Sequence, residues 1–469
     1  MKIIDGGVTA AKGFKAASTA AEIKYKGRTD MAMVFSEVPC VAAGTFTTNV
    51  VKAAPVRWDQ DIVYNHPGAR AVICNSGIAN ACTGEEGFGY CKETAKAASE
   101  SLGIPEDSVL VASTGVIGMQ LPIDRIANGV KAMAPKLEGS REAGLEAAKA
   151  IMTTDTEKKE AAVEIEIGGK TVTVGGMCKG SGMIHPNMCT MLGFITSDVD
   201  ISKELLQEAL SEDIKDTYNM VSVDGDTSTN DTVLLLANGQ AGNPKITEKN
   251  ADYEEFKKAL NYVNTTLAKK IAGDGEGATA LFEVKVIGAA TKAEAVTLSK
   301  SVVTSSLTKA AIYGHDANWG RILCALGYSG VQFDPEKVDL YFESKAGKIK
   351  IIENGVSTGY SEEEATKILS EEAVTAIADM KMGDASATAW GCDLTYDYIK
   401  INADYRSGCK SSVECFFVLD FGCDFVSVCK PRKPLGGASS KLRSPHAPPK
   451  NPLRWARLAV ACRTSVDED

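Results

Sequence analysis

The stretch from Cys178 to Leu192 constrains the fold of this chain most, because it joins a loop with glycines and a proline to an apolar run. Gly180 and Gly182 allow positive φ or a close approach of the backbone to a ligand, and Pro186 favours a turn. Thr190 places a hydroxyl just before the apolar run. Such a loop can hold a hydroxyl against the preceding carbonyl, as a self-cleavage site requires. The same residues also suit a tight loop leading into a buried strand, so both interpretations stay open.

This segment resembles the self-processing segment of the ornithine acetyltransferase family, also called glutamate N-acetyltransferase. Members of the family cut their own chain before a threonine in a Lys-Gly-[Ser/Ala]-Gly-Met…Ala-Thr-Met-Leu context. This chain carries the first part at 179–183 and the second at 189–192, with Cys189 in place of the alanine. Because cysteine is nearly as small as alanine, the resemblance predicts cleavage between Cys189 and Thr190.

A threonine at this position can both cut the chain and act afterwards as a nucleophile. Its hydroxyl oxygen attacks the carbonyl of Cys189, an N-to-O acyl shift gives an ester, and hydrolysis frees the α-amino group of Thr190. An α-amino group has a pKa of about 7.7 to 8.0, so it is partly neutral near pH 7. It can therefore take the hydroxyl proton without a histidine. The resemblance implies that Thr190 is the nucleophile of an acyl transfer.

A second glycine-containing segment, residues 113–118, follows a predicted strand at Val109–Ala112. From its residues alone it could be a strand-to-helix turn in which glycines serve only geometry. Acyl transfer, however, needs fixed donors for the negative oxygen of its tetrahedral intermediate. The resemblance implies that the Thr114 hydroxyl and the Gly115 N–H are these donors.

The resemblance also implies a binding site for a small zwitterion, and charge suggests which residue meets which group. Lys179 suits a carboxylate or the acetyl oxygen, and Glu276 suits an ammonium group. Residues 273–279 formally match a dinucleotide-binding glycine pattern. A dinucleotide-binding motif needs a strand, then the glycines, then a helix, whereas here a helix comes before the glycines and a strand after them. We therefore reject a dinucleotide site. The remaining substrate-binding positions are Thr153, Thr190, Asn402 and Ser407.

Two polar segments could be mistaken for other kinds of site. Residues 224–232 begin like a calcium loop, but Thr229 stands where an EF-hand needs glycine and Leu235 where it needs glutamate. The family has a similar run, and its polar side chains are expected to shape the floor of the site. We expect His315 to orient a loop, because the amine of Thr190 already supplies a base. No metal site is predicted.

Composition argues against a nucleic-acid or membrane protein. The net charge is −10, and residues 1–407 contain no run of Lys and Arg that could follow phosphates. An acid and two glycines interrupt the N-terminus where a signal peptide needs an unbroken apolar run. The 13 cysteines form no C-x-x-C pair, which favours reduced thiols. We therefore expect a cytoplasmic protein without nucleic-acid or membrane partners.

Residues 408–469 differ in composition from the rest of the chain. They hold 10 of the 51 Lys and Arg residues, 6 of the 15 prolines and 5 of the 13 cysteines. Family chains normally stop near Ser407. We therefore interpret this segment as an atypical, appended extension and expect it to be disordered.

Local patterns predict alternating helices and strands. Two runs with period two, 164–167 and 171–174, flank Gly168 and Gly169 and predict a hairpin. A strand and turn are predicted over Thr45–Arg57. Helices are predicted at Arg141–Met152, Leu205–Ile214 and Tyr253–Ala272, and from a capping box at Ser361 to about Met380.

The resemblance covers Met1 to Ser407 and implies an α/β fold with layered sheets sandwiched between helices, in a self-cleaving enzyme with an N-terminal threonine nucleophile. It implies an α chain of residues 1–189 and a β chain of residues 190–407, with two copies of each in the assembly. The implied reaction moves an acetyl group from N2-acetylornithine to glutamate in two steps through acetyl-threonine. No cofactor is expected, and acetyl-CoA as a co-substrate is left open.

Two rival functions remain at this stage. The first is a self-cleaving amidase or aminopeptidase, in which water takes the acyl group and glutamate is not needed for turnover. The second is a binding protein with an uncut site, which would run as a single band on a denaturing gel.

Overall fold

Two β-sheets carry most of the buried residues. The computed structural model describes residues 1–185 and 191–403, which all belong to one compact unit. The strands in these ranges are β1 (Lys2–Ile4), β2 (Phe14–Thr19), β3 (Met31–Phe46), β4 (Ala69–Ile78), β5 (Val109–Val116), β6 (Lys159–Ile167), β7 (Lys170–Lys179), β8 (Leu192–Ser197), β9 (Val221–Ser222), β10 (Thr232–Ala237), β11 (Leu281–Ala289), β12 (Asp339–Ser344), β13 (Gly347–Glu353), β14 (Val356–Ser357), β15 (Ala373–Asp379) and β16 (Ala385–Cys392). The α-helices are α1 (Ala54–Asn65), α2 (Glu86–Leu102), α3 (Ile123–Met133), α4 (Arg141–Ala150), α5 (Lys203–Asp216), α6 (Ala251–Gly273), α7 (Lys292–Val303), α8 (Ser306–Tyr313), α9 (Trp319–Gly327), α10 (Glu362–Leu369) and α11 (Tyr396–Ala403).

The larger sheet has nine strands within the described ranges. Eight follow the order β1-β6-β7-β8-β10-β3-β4-β5, and β2 pairs with β3 beside them. β8 runs parallel to β10 and antiparallel to β7. The smaller sheet has the order β14-β13-β12-β15-β11-β16-β9. In the smaller sheet β11 runs parallel to β15 and antiparallel to β16, so both sheets mix parallel and antiparallel pairs.

Strand β10 shows how the sequence specifies a sheet that is covered on both faces. Val233 and Leu235 belong to one buried cluster, while Leu234 and Leu236 belong to another. Successive side chains of a strand point to opposite faces. A strand that is buried on both faces is therefore a continuous apolar run, as seen here.

Strand β3 joins two halves of the larger sheet. Its pairing with β4 shifts register between Phe35 and Cys40, and its last residues pair with β10. Buried side chains of β4 and β5 meet those of β8 and β10 in a single cluster, so the two halves face each other. Helices α2 and α3 cover the half that contains β4 and β5. Helix α6 packs between the other half and the smaller sheet, and α5 packs beside it against β3. This arrangement confirms the predicted α/β fold with sheets sandwiched between helices.

The predicted hairpin is confirmed. β6 and β7 pair with Ile167 opposite Lys170, and Gly168 and Gly169 between them have φ of 57° and 73°. A two-residue hairpin turn of this kind needs positive φ at both central positions, which glycine adopts without steric cost. The helices predicted to begin at 141, 205 and 253 are α4, α5 and α6, and their ends fall within two residues of the prediction.

Two local predictions are wrong. The helix that starts after Ser361 ends after eight residues as α10, and Ala373–Asp379 forms β15 instead. β15 lies between β11 and β12 inside the smaller sheet, so tertiary pairing outweighs the local helical signal.

The second wrong prediction is the turn at the end of Thr45–Arg57, where the structure has the start of a helix. α1 begins at Ala54 with Pro55 in its first turn. The N–H groups of a first turn have no acceptor within the helix, so the missing N–H of proline costs no hydrogen bond there.

Several predictions fall outside the described ranges. They are the cleavage between Cys189 and Thr190, the role of Ser407, and the extension at residues 408–469. In the part of the chain that the structure describes, no helix is both long enough and apolar enough to cross a membrane.

Candidate active site

A cavity of about 420 Å³ lies where several strands of the larger sheet begin or end. Its wall includes the ends of β5 and β7 and the residues that lead into β8 and β10. The turn after α6 and helix α11 close another side. Six residues predicted from the sequence meet here: Thr114, Gly115, Thr153, Lys179, Glu276 and Asn402.

Thr114 and Gly115 line the cavity from a strand and not from a loop, which corrects the prediction for residues 113–118. Both belong to β5, whose pairing with β4 becomes irregular at Gly77 and Ile78. Gly115 has φ of 129°, and a Cβ there would lie 2.2 Å from the carbonyl carbon of Gly77. Only glycine therefore fits this close approach of the two strands.

Glu276 is held at the cavity by contacts on both sides. The side chain is buried, and its Oε2 accepts a hydrogen bond from Asn402 Nδ2 at 2.7 Å. Its backbone N–H donates to the carbonyl of Ser181 at 3.0 Å. A Cβ added at Gly182 would lie 2.3 Å from Glu276 Cδ, so glycine at 182 makes room for the carboxylate.

Lys179 lies on another wall of the cavity, at one end of a charge network that runs through Asp155 and Lys159. Its Nζ is 3.8 Å from Asp155 Oδ2, and Asp155 Oδ1 accepts from Lys159 Nζ at 2.8 Å. Burial alone would raise the pKa of Asp155, but the ammonium groups of Lys179 and Lys159 hold it well below its ordinary value. Asp155 also accepts hydrogen bonds from the N–H groups of Thr153 at 3.0 Å and Gly180 at 2.7 Å.

The network continues through Asp274 to the segment that carries Glu276. Asp274 pairs with Lys159 and accepts hydrogen bonds from the N–H groups of Thr156 and Glu157. Its carbonyl accepts a hydrogen bond from Ser181 Oγ at 2.7 Å. Lys179 and Glu276 on the two charged walls of the cavity are thus connected through polar contacts that are buried at Asp155 and partly buried at Asp274.

The polar run at residues 224–232 forms another side of the cavity, in agreement with the expectation that it shapes the floor. Asn230 Nδ2 donates to the carbonyls of Ala79 and Ser113, which ties the start of β10 to the ends of β4 and β5. Asp231 also lines the cavity, and its Oδ2 has no hydrogen-bond partner within the described ranges. Burial raises the pKa of Asp231 well above its ordinary value, which favours the neutral acid.

The predicted nucleophile Thr190, its neighbour Cys189 and the substrate residue Ser407 lie outside the described residues. Met191 and Leu192, which follow Thr190 in the sequence, both line the cavity. His315 is exposed and is not part of the cavity wall; its Nδ1 lies 3.4 Å from Ser370 Oγ.

Asp155 is the main residue of the site that the sequence did not reveal. An Asp-x-x-x-Lys spacing joins it to Lys159, next to a hydroxyl-rich turn that includes Thr153. That signal gives no indication of Lys179, which comes from the end of a different strand. The connection depends on tertiary structure.

In this mixed α/β fold the strand ends surround a cavity lined by the buried ammonium of Lys179 and the buried carboxylate of Glu276. These features define a class: an α/β protein with a site for a small polar molecule. The sequence model of the ArgJ family matches residues 15–407. The chain therefore belongs to the ArgJ family of enzymes, which confirms the resemblance seen in its motifs.

The chain is similar to relatives over nearly their whole length. The arginine biosynthesis bifunctional protein ArgJ of Symbiobacterium thermophilum is 53% identical over 409 residues, 87% of this chain and 100% of the relative. The protein of that name from Thermotoga neapolitana is 51% identical over 397 residues, 84% of this chain and 99% of the relative. Among solved structures, ArgJ from Bacillus halodurans is 48% identical and covers 46% of this chain and 100% of its own, with a TM-score of 0.44. Ornithine acetyltransferase from Mycobacterium tuberculosis, complexed with ornithine, is 42% identical and covers 40% of this chain and 98% of its own, with a TM-score of 0.36.

Proposed function

We propose that this enzyme moves the acetyl group of N2-acetylornithine to glutamate as a step of arginine biosynthesis. The relatives at 51% and 53% identity are named as bifunctional proteins of arginine biosynthesis. The observation that carries the proposal is that six residues matched to the family from separate parts of the sequence line one cavity. A volume of about 420 Å³ is suited to an amino-acid derivative.

The charges of the cavity match both substrates. N2-acetylornithine offers an α-carboxylate and a side-chain ammonium, and glutamate offers carboxylates and an α-ammonium. Lys179 would pair with a carboxylate, and Glu276, oriented by Asn402, would pair with an ammonium group. Both side chains are mostly buried, with 7% and 6% of their residues' surface exposed, so such contacts would be little weakened by water.

In the proposed first half-reaction, Thr190 Oγ attacks the acetyl carbonyl while the α-amine of Thr190 takes the hydroxyl proton. The oxygen of the tetrahedral intermediate accepts hydrogen bonds from the Thr114 hydroxyl and the Gly115 N–H. The C–N bond then breaks, and the α-ammonium of Thr190 returns the proton to the leaving amine of ornithine. In the second half-reaction the α-amine of glutamate attacks the acetyl ester, and the Thr190 hydroxyl is restored.

The start of β8 supports Thr190 as the nucleophile. Met191 and Leu192 line the cavity, and consecutive Cα atoms are only about 3.8 Å apart. A nucleophile directly before Met191 needs β8 to begin at the cavity wall, as it does. We propose that the chain cuts itself between Cys189 and Thr190, giving residues 1–189 and a fragment that starts at Thr190, and that two copies of each assemble.

The word bifunctional in the relatives' name favours a second activity. We propose acetyl-CoA as an additional acetyl donor to glutamate, used at the same cavity without any bound cofactor. Formation of N-acetylglutamate from acetyl-CoA and glutamate alone would test this, with Thr190→Ala protein as the blank.

A denaturing gel and a transfer assay test the main proposal together. Wild-type protein should give two bands. Acetylornithine labelled in its acetyl group should yield labelled acetylglutamate. Thr190→Ala should give one full-length band and no transfer, while Thr190→Ser, which keeps a hydroxyl, should retain some of both. Cleavage of the Thr190→Ala protein at the same bond would disprove the assignment of the nucleophile.

The amidase rival predicts a different dependence on glutamate. If water is the acceptor, acetylornithine should be consumed equally fast with and without glutamate, and free acetate should accumulate. If the enzyme is a transferase, ornithine release should stop after about one equivalent per Thr190 unless glutamate is added.

A further inference from the structure

Asp155 connects one wall of the cavity to the protein interior. Its carboxylate accepts hydrogen bonds from the N–H groups of Thr153 and Gly180, which belong to two different segments. It also lies 3.8 Å from the ammonium group of Lys179. We propose that Asp155 is a positioning residue that fixes Lys179 and Thr153 for substrate binding, a role that rests on the acetyl transfer proposed above.

The two lysines beside Asp155 have different surroundings. Lys159 Nζ contacts Asp155 Oδ1 at 2.8 Å, the Glu157 carbonyl at 3.2 Å and the carboxylate of Asp274, so its three N–H donors all have acceptors. Lys179 Nζ is near enough to Asp155 for an ion pair but too far for a hydrogen bond. It donates no hydrogen bond to any residue that the structure describes. Among the described residues, charge attraction to Asp155 thus orients Lys179 without using any of its N–H donors, from which a ligand could then accept hydrogen bonds.

The negative charge of Asp155 is essential to this arrangement. The network contains two carboxylates, Asp155 and Asp274, and two ammonium groups, Lys159 and Lys179. Lys179 is ion-paired to Asp155, whereas Asp274 is paired to Lys159. Without the charge of Asp155, Lys179 would lose its ion-pair partner while the ammonium of Lys159 stays nearby, and it would move from its position at the wall.

An Asp155→Asn variant keeps the size of the side chain and removes its charge. We expect KM for acetylornithine to rise by roughly 10- to 100-fold. The value of kcat per folded enzyme should stay within about threefold, because a contact made equally in the ground state and the transition state affects KM. An unchanged KM, with or without a lower melting temperature, would overturn the proposal.

Asp339 offers a matched control. It too is a buried aspartate with two lysine partners, Lys381 at 2.7 Å and Lys350 at 3.2 Å, and it accepts the N–H of Asn354. It lies on β12 and not at the cavity. Asp339→Asn should therefore lower thermal stability without changing KM. An equal rise of KM in both variants would show that the effect is general destabilisation.

If Asp155→Asn does not fold, a second variant restores the charge balance. Combining Asp155→Asn with Lys159→Met leaves one carboxylate, Asp274, and one ammonium, Lys179, in the network. This double variant should fold and still show the raised KM. A normal KM would overturn the proposal, and so would failure to fold, since the carboxylate would then serve the fold itself.

A transfer assay of the wild-type protein distinguishes failure of the positioning role of Asp155 from failure of the proposed acetyl transfer. No transfer by wild-type protein between acetylornithine and glutamate would remove the proposed function. Normal wild-type transfer together with an unchanged KM for Asp155→Asn would remove only the role of Asp155.

Discussion

Replacing Gly182 by alanine should weaken substrate binding through Glu276. The φ of Gly182 is not positive, so its backbone conformation accepts alanine and the change tests a single contact. The new Cβ would stand 2.3 Å from Glu276 Cδ, where ordinary contact needs about 3.4 Å, so the carboxylate must move by roughly 1 Å. A shift of this size breaks the 2.7 Å hydrogen bond from Asn402. Losing one well-placed contact to a charged group costs about 1.5 to 3 kcal/mol, or roughly 10- to 100-fold in KM.

Steady-state acetyl transfer by Gly182→Ala, with acetylornithine varied at saturating glutamate, measures this effect. Gly89→Ala is the matched control, because a Cβ at this position in α2 meets no atom within 4 Å. Adding Glu276→Asp, which shortens the acid by one methylene, should relieve the clash and make the two changes non-additive. If Gly182→Ala keeps KM within about twofold of wild type, the carboxylate of Glu276 does not hold the substrate in the observed position.

Three further results are expected. Thr114→Ala should lower kcat by roughly 10²- to 10³-fold with little change in KM, because an oxyanion donor acts mainly in the transition state; a raised KM with normal kcat would mark a substrate contact instead. Burial tends to raise the pKa of Asp339, but Lys381, the Asn354 N–H and Lys350 lower it to about 2. Its ionised form therefore stabilises the fold fully above about pH 4, and Asp339→Asn should cost about 1 to 3 kcal/mol at pH 7, a difference from wild type that shrinks between pH 4 and pH 2 in urea titrations. Removal of residues 408–469 should leave melting temperature and activity unchanged, and aggregation of the shortened protein would contradict this.

Local chemistry made part of the fold predictable. The Gly168-Gly169 pair specifies a tight hairpin because both residues accept positive φ, and the structure has this turn. α6 is long and amphipathic, so its period was visible in the sequence. Six of the proposed site residues line one cavity. They could be predicted because the family motifs mark them, whereas composition and hydrophobic period alone would not have selected them.

Long-range pairing explains what the sequence did not reveal. Ala373–Asp379 follows a capped helix and yet forms a strand, because β11 and β12 pair with it on both sides. Thr114 extends β5 where glycines suggested a loop, since Gly115 has no Cβ and can therefore lie against the backbone of Gly77 in the neighbouring strand. Asp155 meets Lys179 only after β6 and β7 have paired along their length. Such contacts join residues far apart in sequence, so no local window contains them.

The strand order β7-β8-β10-β3 has a consequence for a chain that is cut before Thr190. The first fragment would supply β7 and β3, and the second would supply β8 and β10, which lie between them. β8 pairs with β7 over Leu192–Ser197, and β10 pairs with β3 over Thr232–Ala237. The fragments would thus be interleaved, and separating them would require both ladders to open. Each fragment made alone would expose two unpaired strand edges and tend to aggregate, so a chain that is cut at this point would have to fold before the cut.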